Sequence, residues 1–213
     1  HRAHASTAII TKFFKQNVAG FLMEKEIKYM GQALANPERP FIAILGGAKV
    51  SDKVNVIANL LTKVDALLIG GAMAYTFYRA MGIGVGKSLV EEDKKDLAAD
   101  LLKQAETRGV KLLLPVDNIV ADAFSAQANT KVVSRDGIPS DWESLDIGPE
   151  TAKLFAAEIK RAKTVIWNGP MGCFEMAPFA GGTLAVAKAI AETTCVSIIG
   201  GGDSVSAINQ SGF

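Results

Sequence analysis

The chain has 213 residues, 49% of them hydrophobic, and sets 23 basic side chains against 22 acidic ones for a net charge of +1. That length suits one large domain or two small ones, and the charge balance leaves no overall basic field to draw nucleic acid or an anionic membrane surface. No apolar run approaches the roughly 20 residues of a membrane-spanning helix, no leader peptide is visible, and two cysteines, Cys173 and Cys195, in apolar surroundings fit free thiols in a reducing cytoplasm rather than a disulfide framework.

In chain order, the opening HRAHAS is basic, and the first 20 residues fit no regular scheme. The start at His1 and the stop at Ser211-Gly212-Phe213, inside what reads as a helix, lead us to expect a segment of a longer protein. Met23, Ile27, Met30 and Leu34 share one face of a helix from about Phe21, ended by Pro37, which fits a link to another domain. A strand is expected at Phe41–Leu45, then a helix carrying Val54, Ile57, Leu61 and Val64, a second strand at Ala66–Ile69 and a helix over Ala72–Met81. Another helical stripe, Leu97, Leu101 and Ala105, closes at Gly109 and leads into a strand at Lys111–Leu114. Lys131–Ser134 is a weaker strand candidate. Gly148-Pro149 opens a helix with Leu154, Phe155 and Ile159; a strand at Thr164–Trp167, a helix with Leu184, Ala187 and Ala191, and a strand at Val196–Ile199 follow. The strong strands are continuous apolar runs, as expected where both faces are covered. The pattern predicts an α/β domain, a doubly wound parallel sheet of about six strands with helices on both faces, whose ligand crevice lies at the carboxyl ends of the strands.

GIGVGKSL, residues 82–89, resembles the end of a phosphate-binding loop, but Met81 stands where that motif needs its first glycine. The preceding run reads as a helix rather than a buried strand. This stretch is expected to be a connection with a solvated Lys87.

The chemistry gathers at the strand exits. Gly46-Gly47, Gly70-Gly71, Gly169 with Gly172, and Gly200-Gly201-Gly202 each follow an apolar strand. Tight turns need glycine anyway, yet four such exits at one sheet edge suggest a ligand approaching bare backbone. Lys49 and Lys53 are four apart; if the helix has already begun they share a face near its start, where two cations suit a polyphosphate. Asp203 or Ser204 in GGGDS caps a helix, or the Gly202, Asp203 and Ser204 amides face a phosphate while the Asp203 carboxylate holds Mg²⁺. Asn168 is a turn residue or a donor to a phosphate. Glu175, amid apolar neighbours, suits a ribose diol or a cap of backbone amides. Gly148 reads as a helix N-cap. The only histidines, His1 and His4, lie at the extreme start, so no Ser-His-Asp or Cys-His pairing is available. These features point to nucleotide binding and phosphoryl transfer by positioning and charge neutralisation. Two alternatives stand beside that reading. One is a non-catalytic nucleotide-binding or interaction module. The other is an NAD-dependent oxidoreductase, for which Asp65 is suitably placed but the glycine spacing after the first strand is wrong.

HRAH, GGAKVSDK, LIGGAMAYTF, VGKSLVEEDK, PSDW…LDIGP, WNGPMGCFE and GGGDS, in this order and across nearly the whole chain, resemble phosphoglycerate kinases of bacterial type. The resemblance implies reversible phosphoryl transfer between 1,3-bisphosphoglycerate and ADP to give 3-phosphoglycerate and ATP, with Mg²⁺, in two Rossmann-like domains joined by a helix. It implies the end of the amino domain at 1–20, the linking helix at 21–35 and a shortened nucleotide-binding carboxyl domain at 36–213. By position, Lys49 and Lys53 would meet the nucleotide phosphates and the transferring group. Gly70, Gly71 and Gly148 would line the adenine pocket, Asn168 would contact phosphate and Glu175 the ribose. Gly201, Gly202, Asp203 and Ser204 would form the phosphate and Mg²⁺ loop, and Arg2 would grip the glycerate's phosphate. A cytoplasmic protein, monomeric at full length, with small-molecule partners and neither nucleic acid nor membrane, is the further implication. Most of the amino domain and a later glycine-rich helix start are missing from the sequence, so the segment is expected to bind nucleotide weakly and to lack full catalysis.

Overall fold

The computed structural model describes residues 5–212. The chain forms two compact units, His1–Asn36 and Pro37–Phe213. In the first, short helical turns at Ala5–Ile9 and Ile10–Phe13 precede α1 (Phe21–Ala35), the helix expected there. Gly20 opens α1 by accepting from Glu24 N at 3.0 Å, and Phe21, Leu22, Met23 and Ile27 are exposed.

The second unit runs β1 (Phe41–Leu45), α2 (Val54–Leu60), β2 (Ala66–Ile69), α3 (Met73–Ala80), α4 (Lys95–Thr107), β3 (Lys111–Leu113), β4 (Asp117–Ala121), β5 (Thr130–Ser134) and β6 (Glu143–Ile147). It continues through α5 (Pro149–Ile159), β7 (Thr164–Asn168), α6 (Gly181–Ala191), β8 (Val196–Gly200) and α7 (Gly202–Ser211). Five strands form one parallel sheet in the order β3-β2-β1-β7-β8, with Ile44 level with Leu68 on one side and Trp167 on the other. Ile42, Ile44, Leu68, Val165 and Trp167 pack against Phe155 and Ile159 of α5 and Val186 and Ile190 of α6. Phe41, Ala43, Leu45, Leu67 and Ile69, which alternate with them, are equally buried. Burying such a side chain is worth about 1.5–3 kcal/mol, so a strand covered on both faces tolerates no polar interruption, and β1 and β2 contain none.

The expectation of about six parallel strands is corrected to five. Lys131–Ser134 lies in β5, part of a separate antiparallel sheet in the order β5-β4-β6. β4 and β6 escaped the sequence reading because Asp117, Asn118 and Asp146 break their apolar pattern. Partners far along the chain make those residues tolerable inside. The Asp117 carboxylate accepts from Glu150 N at 2.9 Å, Thr151 N at 2.8 Å and Thr151 Oγ1 at 2.6 Å, so a strand residue satisfies the first amides of α5. β3 also ends one residue early, at Leu113, before Pro115 turns the chain toward β4. The 82–89 stretch is the expected connection: Gly82 and Gly86 have positive φ (79° and 56°), and Lys87 is exposed.

Candidate functional site

From β1 the chain steps to β2 and β3 on one side; β7 and β8 lie on the other. Crossovers leaving in opposite directions open a crevice at the carboxyl ends of β1 and β7. There the strand exits are packed backbone on backbone. Gly46 N donates to Asn168 O at 3.0 Å, Gly47 N to Pro170 O at 3.1 Å and Gly71 N to Met171 O at 2.9 Å. A Cβ on Gly46 would stand 1.9 Å from Pro170 O, and one on Gly169, whose φ is +96°, 2.4 Å from Gly46 O. Gly71 (φ +67°) would meet Gly47 N at 2.5 Å, and Gly70 the Met171 sulfur at 2.5 Å. Close approach of neighbouring exits thus requires glycine at 46, 71 and 169 whether or not a ligand is bound, whereas at Gly70 the obstacle is the movable end of the Met171 side chain.

Lys53 occupies the centre of this edge. Its Nζ donates to Gly46 O at 2.6 Å, to Asn168 Oδ1 at 2.8 Å and to Asn168 O at 3.0 Å, so all three ammonium hydrogens have acceptors. Burial lowers its pKa from 10.5 to about 8, while the nearby Asp203 and Asp52 carboxylates pull the other way. The condition for Lys49 and Lys53 to share a helical face, a helix already begun at Lys49, is not met. α2 begins only at Val54, Lys53 is its non-helical cap residue (φ −120°), and Lys49 is exposed in the loop before it. The loop needs those residues to carry the chain from Gly47 back onto the sheet, which delays the helix.

α7 forms the far wall. Gly201 turns into it with φ +92°, and a Cβ there would meet Asn168 Nδ2 at 2.9 Å. The Gly202, Asp203 and Ser204 amides lie in the first turn, ahead of the helix's own ladder, which opens with Val205 N donating to Gly201 O at 3.1 Å. Gly202 faces open space, and Asp203 is exposed. Ser204 is fully buried; its Oγ accepts from Gly169 N at 2.7 Å and ties α7 to the exit of β7. Free amides at a helix start attract anions, and Lys53 supplies a cation beside the acidic Asp203.

The structure therefore groups Lys53, Asn168, Gly201, Asp203 and Ser204, with Gly70 and Gly71 at the neighbouring exit. Gly202 joins them in the first turn of α7, and among the described residues no hydrogen bond or ion pair links Lys49, Gly148 or Glu175 to that group. Gly148 caps α5 against Asp117, whose carboxylate carbon a Cβ would meet at 2.2 Å. Glu175 is exposed on the loop between β7 and α6, which is held to the small sheet by Cys173 N donating to Leu145 O at 2.9 Å. Arg2 lies outside the described residues. The sequence reading passed over Asp146, a fully buried carboxylate in β6 that accepts from Gly182 N at 2.7 Å and Ile147 N at 2.9 Å. Its burial pushes the carboxyl pKa up to about 7. The one signal available was an acidic residue between Leu145 and Ile147 in an otherwise strand-like run.

Among the described residues no group of three or more His, Cys, Asp and Glu side chains could hold a metal ion, and no helix is long and apolar enough to cross a membrane. A single exposed carboxylate such as Asp203 could hold Mg²⁺ only together with ligands from elsewhere, since Mg²⁺ is usually held by one or two carboxylates, phosphates and water.

Residues 1–213 match the phosphoglycerate kinase family. Phosphoglycerate kinases of Acidobacterium capsulatum and Chloroherpeton thalassium are 60% and 57% identical to the whole chain, which covers 53% and 54% of their lengths. A cytosolic phosphoglycerate kinase of Triticum aestivum is 56% identical, with 54% of it covered. The chain thus spans about half the length of the curated relatives it matches. The solved structure of the Coxiella burnetii phosphoglycerate kinase superposes on all of the chain with a TM-score of 0.89 at 42% identity, 55% of that protein being covered. The enzyme from Pyrococcus horikoshii OT3 covers 90% of the chain with a TM-score of 0.72 at 33% identity, 49% of it being matched.

Proposed function

The chain belongs to the phosphoglycerate kinase family, and we propose that it supplies the Mg-nucleotide half of the reaction that moves a phosphoryl group between 1,3-bisphosphoglycerate and ADP. In that reaction the bond from phosphorus to the acyl oxygen breaks and a bond to a terminal β-phosphate oxygen of ADP forms, giving 3-phosphoglycerate and ATP. Family membership displaces the NAD-dependent oxidoreductase alternative. We assign residues 36–213 as the nucleotide domain, 21–35 as the linking helix and 1–20 as the end of the glycerate-binding domain, which includes Arg2. A cytoplasmic location and a monomeric full-length protein belong to the same reading.

The observation that carries it is the Lys53 ammonium at the direction change of the sheet, between the free amides of α7 and the exits of β1 and β7. A polyphosphate placed there meets backbone donors at Gly202, Asp203 and Ser204 and a cation at Lys53. Lys53 reaches it by exchanging Asn168 Oδ1 for a phosphate oxygen, and Asn168 then turns its amide toward the same ligand. Lys49 closes over the phosphates from the loop. Gly70, Gly71 and Gly148 are assigned to the adenine side and Glu175 to the ribose. Asp203 would hold a Mg²⁺ ion carried on the phosphates, and that ion would supply charge neutralisation. Charge neutralisation and positioning are the main demands of phosphoryl transfer.

Calorimetric titration with ADP in excess Mg²⁺ tests the assignment. Binding heat from the wild-type chain, weakened at least tenfold by Lys53→Glu, supports it; a folded wild-type chain giving no heat would reject the nucleotide site.

A further inference from the structure

The VGKSLVEEDK stretch reaches the site through a residue that the glycine and lysine pattern does not single out. Glu91 follows the 82–89 connection in a non-helical conformation (φ −101°, ψ 86°) just before a helical turn at Glu92–Lys94. Its backbone N donates to the hydroxyl of Thr76 in α3 at 3.2 Å, and Thr76 is fully buried. Its carboxylate projects the other way. One oxygen accepts from Ser51 N at 3.0 Å, and the second accepts from the Ser51 hydroxyl. Ser51 lies midway between Lys49 and Lys53, in the loop that joins β1 to α2.

That loop is tied at both ends and by one buried side chain: Gly47 O accepts from Met73 N at 3.0 Å, Val50 is fully buried, and the Lys53 ammonium is bonded to the exits of β1 and β7. Gly47 is fixed by Pro170, and Lys53 N donates to Val50 O at 3.0 Å, a contact within the loop itself. Lys49 and Asp52 are exposed. The anchor at Ser51 adds a tie from the middle of the loop, beside the exposed Lys49 and Asp52, to the chain that α3 and the Glu92–Lys94 turn hold in place. An ionised carboxylate suits this role because it offers two acceptor oxygens, and hydrogen bonds to a charged acceptor are stronger than neutral ones.

We propose that Glu91 is a positioning residue, clamping Ser51 so that the Lys49–Lys53 loop presents its lysines to the crevice between β1 and β7. The clamp couples three elements: α3 through Thr76, the start of α4 through the Glu92–Lys94 turn, and the loop through Ser51. Its consequence for ligand affinity rests on the nucleotide reading above; its mechanical part does not.

Two readouts test it on the whole chain: amide hydrogen exchange over residues 47–53, and the Kd for ADP with Mg²⁺ measured at a temperature where every variant is folded. Glu91→Ala is expected to speed exchange at Ser51 and Lys53 and to weaken ADP about tenfold, the scale of losing charge-assisted hydrogen bonds. Glu91→Gln restores most of the affinity, because its carbonyl accepts from Ser51 N while its amide donates to the Ser51 hydroxyl. Glu92→Ala removes a neighbouring carboxylate whose partner is Arg79, at 2.7 Å, and serves as the control; it changes neither readout. A role confined to stability would shift the unfolding temperature of Glu91→Ala and leave Kd as in the wild type, and that result overturns the proposal, as do unchanged exchange rates. Should the wild-type chain bind no ADP, the nucleotide reading falls, and exchange over 47–53 alone decides on Glu91. If Glu91→Ala does not fold, Ser51→Ala, which removes only the hydroxyl bond, is read by the same two measurements, with faster exchange upholding the clamp and unchanged exchange overturning it.

Discussion

Lys53 combines a lowered pKa with a full set of acceptors, and both follow from its burial against β7. An arriving polyphosphate favours the charged ammonium. Below pH 8 Lys53 already carries its proton; above about pH 8 it must take one up to bind. The affinity for ADP is therefore expected to fall as pH rises past about 8, by up to about tenfold per unit. Calorimetry at pH 9 in buffers of different ionisation enthalpy should show proton uptake, and Lys53→Met should abolish it. Asn168→Asp tests the same pair differently. A carboxylate in place of the amide holds the ammonium more tightly and repels phosphate, so ADP should bind more weakly without loss of fold. The glycine exits make a harsher demand. Alanine at Gly169 combines an unfavourable positive φ with a clash at 2.4 Å against Gly46 O, and should destabilise by about 2–4 kcal/mol in urea unfolding.

Among the elements, α5 shows how a helix can begin without a capping side chain of its own. Gly148 offers none, and Asp117 from β4, 34 residues away from Thr151, supplies the acceptors. Asp117→Ala should remove about 1–3 kcal/mol, because it strips two amides and a hydroxyl of their partner in a buried setting. Helicity loss confined to residues 149–152, followed by amide exchange, would identify α5 as the seat of that loss. The same logic separates what was legible from what was not. β1 and β2 could be read from FIAIL and ALLI because uninterrupted apolar runs leave few other folds. β4 and β6 could not, since DNIVA and ESLDI look like strands only once Asp117 and Asp146 have found partners elsewhere. The stripe beginning at Val54 marked α2, but whether the helix reached back to Lys49 was not legible, because nothing in GGAKVSDK says how many residues the turn consumes.

For the whole molecule, Asp146 links the two sheets: it sits in β6, and its carboxylate holds Gly182 at the start of α6, which packs on the parallel sheet. Burial raises its pKa from 3.8 to about 7, so between those values the native chain keeps a proton that the unfolded chain has released. This contribution to stability is full below about pH 4 and disappears as pH rises through 7. The groups around it, Tyr75 and Cys173, are themselves pushed upward by burial and remain neutral in that range. The difference in unfolding free energy between the wild type and Asp146→Asn should therefore change between pH 5 and pH 8, in the sense of the wild type losing ground. Equal differences at the two pH values would show that Asp146 does not titrate there.

The amino-acid sequence by itself determined the alternation of buried strands with amphipathic helices, the glycines at four of the strand exits and the order of motifs that marks the family. These are local signals, carried by neighbours a few residues apart. Only the tertiary structure decided that Lys53 lies against Asn168, 115 positions away, that a second, antiparallel sheet stands beside the first, and that Glu91 grips the loop between the lysines. A buried charge or polar strand is stable only when distant groups satisfy it, and no stretch of sequence names its distant partner.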